Sequence, residues 1–129
     1  MNISFVVKGK PIGKQRPRTV RNRYTGKTVT YTPDKTKAYE NEVAEAYRRK
    51  SKTIFKGAIS MNIIVFVKQP KKLIYPRPTV KPDIDNIAKT ILDALNCVAY
   101  ADDKQVVKLS IAKYYGNDDY VSVSISEYE

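Results

Sequence analysis

Lys81-Pro82-Asp83-Ile84-Asp85-Asn86-Ile87-Ala88-Lys89-Thr90-Ile91-Leu92-Asp93-Ala94-Leu95-Asn96 is the stretch on which the reading of this chain turns. Ile84, Ile87, Ala88, Ile91 and Leu95 recur at i, i+3, i+4, i+7 and i+11, one apolar face of a helix. Asp85, Lys89 and Asp93 recur every four residues on the opposite face. The pattern predicts a helix from about Asp83–Asp85 to Asn96, buried along one side. Upstream, 58–67 carries the apolar run IIVFV and reads as a buried strand. Between the two, 68–82 (KQPKKLIYPRPTVKP) holds four of the seven prolines and no acid, an extended basic loop. Downstream, strands are expected over about Gln105–Tyr115 and Tyr120–Ser126 around a turn at Gly116–Asp119, the second supported by alternating Val121, Val123 and Ile125.

Towards the N-terminus, NISFVV (2–7) reads as a first strand and the Gly- and Pro-broken basic segment after it as loop. RNRYTGKTVTYT suggests a hairpin turning near Thr25-Gly26. A first helix is expected from Asp34 or Thr36 to Arg49–Lys50, with Ala38/Tyr39, Val43 and Ala46/Tyr47 at helical spacing. The order strand, hairpin, helix, strand, helix, two strands predicts an α/β (α+β) fold: a single mixed sheet with two main helices, one domain over residues 1–129.

Composition excludes several chemistries. The chain has no His and one Cys, so His-based acid–base catalysis, His-metal nuclease sites and zinc fingers are out, and Cys97 is expected as a small buried residue at the helix end. No Walker or Rossmann phosphate loop is present, which leaves no small-molecule cofactor expected beyond a metal. In a His-free chain, clustered Asp points to an oxygen-coordinated hard cation. No membrane span or signal peptide is legible, so a cytoplasmic protein without a membrane partner is expected. The formal charge is +11, and its excess sits in residues 1–52, with 14 basic and 4 acidic residues; residues 53–129 carry 10 and 9. That distribution suggests a polyanion-binding segment beside a segment carrying acidic chemistry.

The acids come as two pairs flanking the helix, Asp83/Asp85 and Asp102/Asp103. Asp83 and Asp85 could cap the helix, or converge on one ion where the backbone changes direction. Asp102-Asp103 could form a turn, or return to the first pair, because the seven residues from Asn96 to Asp103 can run back along a helix of roughly 18 Å. Lys89, one turn after Asp85, could make an i,i+4 ion pair or place an ammonium beside the metal.

The pattern DIDN-x₂-K followed by a helix and DD-x-Q-V-V resembles the RusA-type Holliday junction resolvases, the crossover junction endodeoxyribonucleases, and the opening GKPIGKQRPR is similar to that of bacterial and phage members. Agreement falls at Asp83, Asp85, Asn86, Lys89, Asp103, Gln105 and Val106; where some members carry an Arg run before the first motif Asp, this chain has Lys81-Pro82. The resemblance implies Asp83, Asp85, Lys89 and Asp103 as the catalytic set, with the three Asp holding Mg²⁺ (Mn²⁺ substituting). It also implies a bacterial or phage-encoded homodimer that resolves four-way junctions by paired symmetric nicks during recombination and repair. Lys10, Lys14, Arg16, Arg18, Arg21 and Arg23, with Lys68, Lys71, Lys72 and Arg77, are the candidate DNA-binding residues that would track phosphates. Two rival readings are a non-catalytic basic nucleic-acid-binding protein and a metal-dependent nuclease of flap or single-stranded DNA.

Overall fold

Ile87, Ile91 and Leu95 are fully buried and Ala88 nearly so, so the apolar face read over 84–95 is the face that docks. Ile84 departs from it: at the first position of the helix it is 37% exposed. The computed structural model describes residues 1–14, 18–31, 34–73 and 75–129, with the backbone alone at 18–20 and 29–31. In chain order the elements are β1 (Asn2–Lys8), β2 (Arg18–Arg21), β3 (Thr28–Tyr31), α1 (Asp34–Lys50), β4 (Ile59–Lys68), α2 (Ile84–Ala94), a 3₁₀ turn (Asp103–Gln105), β5 (Val106–Gly116) and β6 (Tyr120–Glu127). The fold is α+β, with one mixed four-stranded sheet and two helices. No helix among the described residues is long and apolar enough to cross a membrane.

Alternation decides which face of the sheet is covered. Ile3, Phe5 and Val7 of β1, Ile59, Met61, Ile63 and Val65 of β4, and Val121, Val123 and Ile125 of β6 are all buried. They form one core with Tyr39, Val43 and Tyr47 of α1 and the apolar face of α2. Phe5 and Tyr47 meet edge to face at 5.7 Å, a favoured ring geometry. Each fully buried aliphatic side chain contributes about 1.5–3 kcal/mol. Replacing Ile91 by Ala should therefore cost about 2–5 kcal/mol, a transfer term plus a cavity term. Urea unfolding measures this; a loss below about 1 kcal/mol would mean that α2 is not packed as described.

Sheet order is β1-β6-β4-β5. β1 pairs antiparallel with β6, β6 antiparallel with β4, and β4 parallel with β5. The two C-terminal strands are thus not partners, although they follow each other around the short turn 117–119. β4 lies between them, and α2 is the crossover that a parallel β4/β5 pair requires. β5 is an edge strand, and Val107 and Leu109 on it are 56% and 40% exposed. β2 and β3 make a separate two-stranded ribbon, Arg21 opposite Thr28.

Cys97 overturns its sequence reading. It is exposed, with φ +64, at the turn that ends α2. It lies beyond the Leu95 C-cap, and its N–H donates to the Tyr100 carbonyl at 2.7 Å within the turn that follows the helix.

Candidate active site

Between β4 and α2, Gln69, Arg77 and Val80 each meet the C-terminal end of β5. The Arg77 guanidinium lies 5.5 Å from the centre of the Tyr114 ring, a cation–π distance. The Lys113 ammonium donates to the Val80 and Pro82 carbonyls at 2.6 and 3.3 Å, which fixes the backbone just before Asp83. Gly13 closes on the same point from the N-terminal loop. A Cβ there would stand 2.9 Å from Pro82 Cβ and 3.1 Å from Asn86 Cβ, so only glycine permits the approach. The Lys14 N–H donates to the Asn86 carbonyl at 2.9 Å. The basic N-terminal segment is thereby seated on the start of α2.

Asp83 occupies the N-cap position with φ −70 and ψ 151, yet its carboxylate makes no capping hydrogen bond. Asp85 follows in the first turn; both are exposed, and among the described residues neither joins an ion pair. The helix N-terminus is favourable ground for both charges. Asp83 borders two open grooves. One, of about 560 Å³, is walled by Lys10, Lys35 and Lys81; the other, of about 520 Å³, by Arg77, Lys81 and Lys113. A cleft of about 650 Å³ between β1 and α1 contains Glu42, Glu45 and Arg49 and none of the expected site residues.

The second acid pair divides its roles the other way round. Asp102 is a cap: its carboxylate accepts from the Lys104 N–H at 3.0 Å, while the Gln105 side-chain oxygen accepts from the Asp102 N–H at 3.2 Å. Gln105 Nε2 also donates to the carbonyls of Phe55 and Gly57, at 2.9 and 3.1 Å. This side chain ties 101–105 to the segment before β4, which gives the motif glutamine a structural task. The Lys104 N–H holds the Asp102 carboxyl below its ordinary range. Burial, and then the hydrogen bond with Asp102, raise that of Asp103.

The segment after α2 is not extended where it leaves the helix. It is wound into turns: Asn96 N–H to Asp93 carbonyl at 3.3 Å, Val98 N–H to Leu95 carbonyl at 3.0 Å, with the Tyr100 hydroxyl bound to the Leu92 carbonyl at 2.7 Å. Asp103 therefore lies within the electrostatic reach of Lys89 and Asp93, whereas Asp83 lies near Lys113 towards the other end of β5. Lys89 donates to Asp93 at 3.2 Å, the ion pair that its spacing allowed. Asp83 and Asp85 are free oxygen donors of the kind a hard divalent cation takes. Among the described residues, no group of three or more acidic or thiol side chains is arranged to hold a metal ion, so Asp103 does not join them in this structure.

Of the expected phosphate contacts, Lys10 and Arg77 line the grooves at Asp83. Arg21, Arg23, Lys68, Lys71 and Lys72 are exposed. Arg16 lies outside the described residues, and the side chain of Arg18 lies outside them too. Lys14 lines the same groove as Lys10, and its ammonium is bound to Glu40 at 2.6 Å and Asp93 at 3.2 Å. Lys35, Lys81 and Lys113 were missed. Only Lys81 carried a signal, its place two residues before Asp83; Lys35 and Lys113 reach the site through tertiary packing.

A family model described as Endodeoxyribonuclease RusA matches residues 8–126. The chain is 37% identical over 139 aligned positions to "Uncharacterized protein YqaN" of Bacillus subtilis (strain 168), covering 97% of this chain and 96% of that protein. With a match across nearly its whole length, this chain belongs to the RusA endodeoxyribonuclease family.

Proposed function

We propose that residues 1–129 are one RusA-like domain acting as a Mg²⁺-dependent endonuclease that resolves four-way DNA junctions by paired symmetric hydrolysis, as a cytoplasmic homodimer in recombination and repair. Family membership supports a DNA endonuclease dependent on a divalent metal. The observation that carries the finer reading is the N-cap aspartate that does not cap, set beside Asp85 and between grooves walled by lysine. A carboxylate that caps nothing and, among the described residues, joins no ion pair is suited, set among cations, to hold a divalent cation.

In this reading Asp83 and Asp85 would hold the ion, with Asp103 as the third ligand that the family resemblance implies. The cation would supply Lewis acidity to the scissile phosphate. Lys89 places an ammonium where negative charge develops on the phosphoryl oxygens. Lys10, Lys35 and Lys81 offset the repulsion between the acids and the DNA backbone. The test is a labelled four-way junction incubated with the purified protein, with and without Mg²⁺, beside flap and single-stranded substrates. Metal-dependent paired nicks of the junction are expected. Binding without cutting in any divalent metal would leave a nucleic-acid-binding protein, and preferential cutting of flaps would replace the substrate.

A further inference from the structure

Where the N-terminal loop and α1 meet α2, four side chains form a line of alternating charge. Glu40 of α1 accepts from Lys14 at 2.6 Å. Lys14 reaches Asp93 Oδ2 at 3.2 Å, and Asp93 Oδ1 accepts from Lys89 at 3.2 Å. Glu40, Lys14 and Asp93 are 21%, 20% and 20% exposed, whereas Lys89, at the end of the line, is 57% exposed. Each oxygen of Asp93 is thus taken by a different lysine, one shielded and one facing solvent.

We propose that Asp93 and Lys14 are positioning residues for Lys89: Asp93 holds the Lys89 ammonium at its level on α2, and Lys14, anchored by Glu40, holds Asp93. This deepens the proposed function and rests on Lys89 acting at the phosphate. A solvent-facing lysine loses much rotamer freedom when it is fixed. A lone i,i+4 pair is too weak to fix it. Asp93 differs from a lone partner because its other oxygen is already tied. Lys14 is itself tied twice, by its ammonium to Glu40 and by its backbone N–H to Asn86 at 2.9 Å. The carboxylate is therefore oriented before Lys89 reaches it. The charges along the line cancel in pairs, so Lys89 is held without leaving an unbalanced group in the seam. Lys14 is thereby removed from the set of phosphate contacts.

The test is a double-mutant cycle on single-turnover junction cleavage with divalent metal, with junction affinity measured separately in EDTA. Lys89→Met and Asp93→Asn should each slow cleavage, the latter on the order of 10–100-fold, the cost of a misplaced reacting group. Affinity should change less than about twofold. Together the two substitutions should be no slower than Lys89→Met alone. Lys14→Met should act like Asp93→Asn, Lys14→Arg should restore most of the rate, and Lys14→Met should leave the salt dependence of binding unchanged. A readout without metal or DNA is the ¹⁵N ammonium signal of Lys89, expected to persist in the native protein and broaden away in Asp93→Asn. If Asp93→Asn proves unfolded by thermal melting, Lys14→Met carries the same cycle against Lys89→Met. Full additivity of the cycle overturns the positioning role, and so does a shallower salt dependence in Lys14→Met. A Lys89→Met protein that cuts at the native rate overturns the proposed catalytic set itself, and the positioning role with it, a result distinct from additivity.

Discussion

Asp85→Asn is expected to leave a folded protein that holds a four-way junction and does not cut it. Asp85 is exposed in the first turn of α2 and joins no ion pair among the described residues, so folding loses only the dipole contribution, about 0.3–1 kcal/mol. Cleavage loses far more. A ligand that delivers several kcal/mol of transition-state stabilisation through a bound cation corresponds to a rate loss of about 10³-fold or greater. Binding should be unchanged or tighter, because one negative charge facing the phosphates is gone, worth about 1 kcal/mol at 4 Å in water. Mobility shift in EDTA and single-turnover cleavage in Mg²⁺ separate the two. Native-rate cutting by Asp85→Asn would remove this residue from the site.

The second large effect concerns assembly. A chain of 14.7 kDa that resolves a junction needs two opposed cuts, and a C₂ dimer presents identical groups to the two equivalent strands of an open junction. Sedimentation at micromolar protein should give about twice the monomer mass. Mixing native and Asp85→Asn subunits should then produce heterodimers that nick one strand and accumulate the singly cut junction, while native homodimers release two linear duplexes. The exposed edge of β5 and the Pro-rich loop 68–82 are the candidate contacts. A monomer that makes paired cuts at full rate would end the dimer model.

Much of the fold was legible because burial follows local periodicity. Val43, Tyr47, Ile87, Ile91 and Leu95 are buried where helical spacing put them, and Val121, Val123 and Ile125 where strand alternation did. Alternation assigns a residue to a face of a sheet and says nothing of the neighbouring strand, so the insertion of β4 between β5 and β6 was not readable. Nor could residue type tell which aspartate caps: Asp83 and Asp102 look alike in sequence, yet only Asp102 finds a backbone donor. The ion pairs of Lys14 were hidden for a related reason. In a segment this basic, every lysine resembles a phosphate contact until tertiary structure brings Glu40 and Asp93 against one of them. Nor was the path of 96–103 readable: an extended link could span the helix, whereas the chain forms turn hydrogen bonds after α2 and buries Tyr100.

The position of β6 carries a consequence for how the chain reaches this state. β6 follows every other element in sequence, yet it fills the slot between β1 and β4. Until residues 120–127 are available, β1 has no neighbour along its length, and β4 has a partner on one side only. During synthesis, the α2 crossover can join β4 to β5 early, while β1 waits as an open edge for about a hundred residues. Closing that gap is a long-range step with a large loop-closure cost, so the sheet should complete late and all at once. A released chain truncated before residue 120 should therefore be protease-sensitive at β1, which lacks its strand partner.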